Sequence, residues 1–125
     1  MPSSVMIVED DSDCRESLAW VLEEHGHPTI TAAHGEQALS TLATTAILPA
    51  LLVVDLVMPV MGGARLLQAL RASPWASIPV IILSAGADVA QVAPRLGAAG
   101  WLRKPVDIDD LLALVRQWAP TTPLP

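Results

Sequence analysis

Runs of consecutive apolar residues, separated by segments of helical period, limit the folds open to this chain more than any other feature. Residues 5–8, 51–54 and 79–83 are apolar at every position. A strand with one wet face alternates polar and apolar residues, so unbroken runs of this length predict strands covered on both sides. Thr29–Ala32 and residues 101–102 are weaker candidates for two further strands. Between the strands, apolar spacing predicts helices over 13–24 (Leu18, Val21 and Leu22 inward, Gly26 as the stop), 36–43 (Leu39 and Leu42) and 64–72 (Leu66, Leu67 and Leu70). Residues 88–96 should form a fourth helix that Pro94 breaks or shortens. A fifth runs over 108–118, with Leu111, Leu112, Val115 and Trp118 on its inner face. Five strands alternating with five helices imply an α/β fold: a doubly wound parallel sheet with right-handed crossovers.

Ligands of such sheets bind at the carboxyl ends of the strands. The chain is sparing with charge, at 16% of its 125 residues, so the positions of its charges carry information. Glu9 and Asp10 follow the first strand, Asp55 the third, Ser84 the fourth and Lys104 the fifth. Asp55 is the only acidic residue between Gln37 and Ala87, and Lys104 is the only lysine. Every polar group suited to chemistry therefore falls on one edge.

Bulk features exclude several functions. Thirteen acidic residues against seven basic ones give a net charge of −6, which argues against direct nucleic-acid binding. The most apolar stretch, 46–64, is interrupted by Pro49, Pro59, Gly62 and Gly63 and centred on Asp55. A carboxylate there costs roughly 2.5–3.5 kcal/mol on membrane insertion, so a buried strand and turn are expected instead of a membrane span. No basic, apolar leader opens the chain, and the single cysteine, Cys14, cannot form an internal disulfide. A cytoplasmic location is the expectation. Cys14 itself is read as a small buried helix residue. His25, His27 and His34 lack the spacing of a zinc site and are read as surface residues, the first two in a turn.

Carboxylates that converge on one edge repel one another and raise each other's pKa unless a cation intervenes. Hard oxygen ligands in a polar, open site suit Mg²⁺. A carboxylate can attack phosphorus to form an aspartyl phosphate, while a lysine and a hydroxyl bind the other phosphoryl oxygens. Asp55, Lys104 and Ser84 supply those three groups.

At this point the sequence resembles the receiver domains of two-component response regulators. The resemblance rests on 6–11 (Met-Ile-Val-Glu-Asp-Asp), 53–63 (Val-Val-Asp-Leu-Val-Met-Pro-Val-Met-Gly-Gly), 82–85 (Ile-Leu-Ser-Ala) and 97–105 (Gly-Ala-Ala-Gly-Trp-Leu-Arg-Lys-Pro). It implies a flavodoxin-like (βα)5 sheet in the order 2-1-3-4-5. It also implies a signalling protein, catalysing only its own phosphorylation and dephosphorylation, with a histidine kinase or phosphotransfer protein as its partner. By this resemblance Asp55 is the phosphoacceptor, and Ser84 and Lys104 are the phosphate-sensing residues. Asp10, Asp55 and the backbone carbonyl of Val57 hold Mg²⁺ (or Mn²⁺) directly, and Glu9 holds it through water. Asp11 is left as a solvated first-turn residue. The Lys104–Pro105 bond is expected to be cis. Trp101 occupies the switch-aromatic position, with a role in docking alone as the alternative. The face of the fourth helix, fifth strand and fifth helix is expected to meet an output partner or a second copy.

The sequence departs from the pattern at Gly62, where Asp or Asn is usual, and in the short Pro94 segment. Val57 and Gly86 stand where the family tunes dephosphorylation, and neither side chain can orient a water, so a long-lived phosphorylated state is expected. A phosphohydrolase with an aspartyl nucleophile would need a second acid where Val57 stands. A dinucleotide- or flavin-binding domain would need glycines where Glu9–Asp13 would repel phosphates. A phosphorylation-silent scaffold would not need all five site residues. The receiver unit is placed at 1–119. The proline-rich 120–125 is expected to be an extended end or the start of a linker, so the unit is either a stand-alone receiver or the N-terminal part of a longer chain.

Overall fold

The computed structural model describes residues 4–58 and 60–120. Ten elements alternate strictly: β1 (Val5–Val8), α1 (Ser12–Glu24), β2 (Thr29–Ala32), α2 (Gly35–Thr44), β3 (Leu51–Asp55), α3 (Gly63–Arg71), β4 (Val80–Ser84), α4 (Val89–Arg95), β5 (Gly100–Arg103) and α5 (Ile108–Trp118). All strand pairs are parallel, in the order β2-β1-β3-β4-β5. The doubly wound topology expected from the sequence is the one observed.

The unbroken apolar strands are explained by two cores, one on each face. Met6, Val8, Leu52, Val54 and Ile82 point into one, with Leu66, Leu67 and Leu70 of α3 and Leu42 of α2. Val5, Ile7, Val53, Ile81 and Leu83 point into the other, with Leu18 and Leu22 of α1 and Leu111, Leu112 and Val115 of α5. Successive strand residues face opposite sides, so a strand between two cores must be apolar at every position.

The helix ends follow local chemistry. Asp11 is the N-cap of α1, its Oδ1 accepting from the Cys14 N–H at 2.9 Å, so it is not the first-turn residue expected from the sequence. Gly26 takes φ 88° after α1 and serves as the stop. Pro94 lies inside the seven-residue α4 without breaking it. The helix ends ahead of Gly97, which takes φ 77°, and the N–H groups of Gly97 and Ala98 donate to the Pro94 and Ala93 carbonyls. In α5 the expected inward face is corrected at its end: Trp118 is 37% exposed and Ala119 is buried instead. Leu111, Leu112, Val115 and Ala119 centre the buried arc, and Trp118 lies at its margin, where an indole can reach water.

The histidines are also corrected in part. His25 is exposed, with Nδ1 2.8 Å from the Val21 carbonyl, and His34 caps α2 through Nδ1. His27, however, is 1% exposed, and neither ring nitrogen has a hydrogen-bond partner. Burial pushes its imidazole pKa below 6.5, and the charges of Arg116 and His25 add to this. A depressed histidine pKa contributes stability that is present above pH 6.5 and lost as pH falls through the folded value. In urea titrations across this range, His27→Leu should flatten the acid-side loss of stability seen in wild type. Parallel pH profiles for the two proteins would contradict this.

Candidate functional site

Each site residue is delivered by a strand end. The Glu9 N–H donates to the Ala32 carbonyl at 3.0 Å, which extends β1 by one bond and buries the Glu9 side chain, while Asp10 beyond it is exposed. Asp55 is the last residue of β3, in register with Leu83, and is buried. Ser84 ends β4 and is buried, and its Oγ accepts from the Gly86 N–H at 3.0 Å. The Lys104 N–H donates to the Ser84 carbonyl at 2.8 Å, fixing the lysine beyond β5 just before a cis peptide bond to Pro105. Gly63 allows α3 to start close under this edge. A Cβ there would lie 2.9 Å from both the Asp55 carbonyl oxygen and the Leu56 Cα, atoms that cannot move aside.

Lys104 is the centre of the cluster. Its Nζ lies 2.7 Å from Glu9 Oε1 and 3.3 Å from Asp55 Oδ2. Carboxylate oxygens of Glu9, Asp10 and Asp55 lie within 4.8 Å of one another, a group able to hold a metal ion. Glu9 Oε2 is buried without a partner, which is costly for a carboxylate unless a cation or its water meets it. Three hard oxygen donors and one unsatisfied acceptor fit a divalent cation such as Mg²⁺.

The electrostatics follow from this packing. Burial, the hydrogen bond to Glu9 and the Glu9 charge push the Asp55 carboxyl up to about 6, against the pull of Lys104 and the Val57 N–H. For Glu9, burial is outweighed by hydrogen bonds from Asp55, Lys104 and Cys14, and its pKa falls. Burial opposes the Lys104 charge, but Glu9 and Asp55 outweigh it and raise the ammonium pKa. Cys14, half-buried against Glu9, has its thiol pushed up to about 11 by burial and by that carboxylate, so it is not a reactive thiolate.

The structure thus brings together Glu9, Asp10, Asp55 and Lys104, with Ser84 ending the strand beside Asp55. Val57 adjoins them with its N–H 3.3 Å from Asp55 Oδ1 and its side chain 74% exposed. Trp101 stands apart from the cluster. It is 36% exposed, and strand alternation puts it on the opposite face of β5 from Leu102, which packs toward α5. Sequence reasoning passed over Arg15, whose guanidinium donates to the Glu9 carbonyl at 2.8 Å and reaches the Asp10 carbonyl at 3.4 Å. Its signal was its isolation: Arg15 is the only basic residue before Arg65, and it stands among five acidic ones.

With this geometry in place, comparison with known proteins gives a consistent class. The profile of the response regulator receiver domain matches residues 5–116. The chain belongs to that family. It is 38% identical over 117 residues to an uncharacterised 14.6 kDa protein from the sodA1 3′ region of Leptolyngbya boryana, covering 91% of this chain and 88% of that one. It is 37% identical over 121 residues to the response regulator protein FleR of Pseudomonas aeruginosa, covering 95% of this chain but only 25% of FleR. A crystal structure of a response regulator receiver protein from Pseudomonas putida superposes with a TM-score of 0.87 at 31% identity, covering 94% of this chain and 98% of that one. Among the described residues, no helix is long and apolar enough to cross a membrane.

A raised carboxyl pKa means that the folded protein binds the Asp55 proton more tightly than the unfolded chain does. The resulting stability is complete below pH 3.8 and is lost as pH rises through about 6. Near neutral pH without metal, Asp55→Asn should therefore stabilise the protein by on the order of 2 kcal/mol, with the gain shrinking as pH falls toward 4. Denaturant melts at several pH values check this, and a gain independent of pH would contradict it.

Proposed function

We propose that this chain accepts a phosphoryl group onto Asp55 from a partner histidine kinase or phosphotransfer protein, in a Mg²⁺-dependent reaction that serves cytoplasmic signalling. The observation that carries the proposal is the convergence of Glu9, Asp10 and Asp55 on the single lysine at the carboxyl edge of the sheet. The receiver unit is residues 1–119, with 120–125 as a tail or the start of a linker.

A carboxylate oxygen of Asp55 attacks phosphorus as the bond from phosphorus to the donor imidazole nitrogen breaks, and the freed imidazole takes up a proton. Bound Mg²⁺ supplies charge neutralisation at the phosphoryl oxygens and keeps Asp55 ionised. Asp10, Asp55 and the Val57 carbonyl would hold the cation, with Glu9 acting through water, and Mn²⁺ would serve in its place. The ammonium of Lys104, now shared by Glu9 and Asp55, turns to a phosphoryl oxygen. Ser84 accepts from Gly86 and keeps its own O–H to donate to the phosphoryl group.

The added charge of about −1.5 to −2 shifts a pre-existing equilibrium between two states of the α4–β5–α5 face. Ser84 and Trp101 are the switch residues, with Trp101 starting from a partly exposed position on the side of β5 away from α5. That face then meets an output partner or a second copy of the chain, without direct nucleic-acid contact by this domain. The domain catalyses only its own phosphorylation and dephosphorylation. Valine at 57 and glycine at 86 offer no side chain to orient an attacking water, so the phosphorylated form is long-lived.

Intact-mass measurement after incubation with acetyl phosphate and Mg²⁺ tests the proposal. Wild type should gain one phosphoryl group that survives desalting, and should gain none without a divalent cation. Asp55→Asn should gain none at all. Mg²⁺ at ten times its dissociation constant should also stabilise the unphosphorylated fold by roughly 1.4 kcal/mol. Labelling of Asp55→Asn, or metal-independent labelling of wild type, would overturn the assignment.

A further inference from the structure

The β1–α1 loop has to present two adjacent acidic residues, one buried and one exposed, to the same site. β1 ends at Val8, so the carbonyls of Glu9 and Asp10 lie beyond the strand ladder. A carbonyl in that position needs a donor from elsewhere. Arg15, one turn into α1, provides it: one guanidinium nitrogen lies 2.8 Å from the Glu9 carbonyl oxygen and 3.4 Å from that of Asp10. The Arg15 N–H donates to the Asp11 carbonyl at 2.9 Å, and the Cys14 N–H to Asp11 Oδ1. Loop and helix start are therefore tied at both backbone and side chain. Arg15 itself is half-buried, and its bond to the Glu9 carbonyl is partly shielded from water, whereas the one to Asp10 is exposed.

We infer that Arg15 is a positioning residue for the acidic site, holding the peptide units of Glu9 and Asp10 so that their carboxylates meet the cation in a fixed arrangement. The inference rests on the Mg²⁺-binding reading proposed above. A guanidinium is suited to the task because it is permanently charged and presents its donors in a rigid plane, so it can satisfy neighbouring carbonyls together. Lysine offers one compact ammonium on a flexible stem and holds such a pair less firmly.

Two physical effects of Arg15 on cation binding have opposite signs. Its positive charge beside the carboxylates repels Mg²⁺, so charge alone predicts that removing it tightens binding. Its hydrogen bonds fix the ligands, and loss of supports of this kind typically weakens metal affinity 10- to 100-fold. Because Arg15 contacts the backbone of the ligand residues and not their carboxylates, a loss near the lower end of that range is expected.

Titration calorimetry with Mg²⁺ on wild type, Arg15→Ala and Arg15→Lys distinguishes these effects, with metal-free melting temperatures and acetyl-phosphate labelling rates measured on the same samples. Arg15→Ala should bind Mg²⁺ about tenfold more weakly, and saturating Mg²⁺ should restore its labelling rate. Arg15→Lys should fall between Arg15→Ala and wild type. A purely structural role would lower the metal-free melting temperature and leave Mg²⁺ affinity unchanged, which would overturn the inference, as would tighter binding by Arg15→Ala. If Arg15→Ala does not fold, Arg15→Lys decides, and affinity equal to that of wild type would overturn the inference. Wild type that binds no Mg²⁺ would overturn the metal-site reading itself, and the inference with it.

Discussion

Repulsion between the buried carboxylates of Glu9 and Asp55, held in check by one ammonium group, is the constraint on which this structure turns. The two acids end neighbouring strands and face each other in a site that excludes most water. Lys104 bridges them at 2.7 and 3.3 Å. One positive charge does not balance two acids and the nearby Asp10; burial, reinforced by Glu9, raises the Asp55 pKa, and Glu9 Oε2 is left without a partner. A site with this surplus is poised to take a cation, and the proposed chemistry uses that poise.

The fold supports the surplus by making the rest of the molecule unusually apolar. Two cores, one on each face of the sheet, require the strands to be apolar throughout. The strand ends are where the chain first reaches solvent and can carry charge. Parallel pairing of all five strands then places those ends on one edge. The stability supplied by the cores is what allows an electrostatically unfavourable cluster to persist at their rim.

That division also explains what could be read from the sequence. The strands were legible because burial on both faces leaves unbroken apolar runs, and Asp55 was legible because it interrupts one. Lys104 was conspicuous as the only lysine. Arg15 was missed because its role depends on reaching back to main-chain carbonyls, and no residue pattern encodes that. His27 differs because a histidine beside a glycine turn resembles a surface residue, and its burial depends on tertiary packing that also brings Arg116 of α5 near it. Trp118 was misplaced because helical period alone does not tell which of two residues at a helix end completes the buried arc. Asp11 was assigned to a helix turn that it caps, an error of one position with a different physical meaning.

The most direct test of this electrostatic account is a carbon-detected NMR titration of the Asp55 side-chain carboxyl, first without divalent cation and then with saturating Mg²⁺. The metal-free midpoint should lie near 6 and move to lower pH when Mg²⁺ is added. A midpoint near the ordinary value of 3.8 under both conditions would contradict it, because neither burial nor Glu9 would then disfavour the Asp55 charge and leave a cost for a cation to relieve.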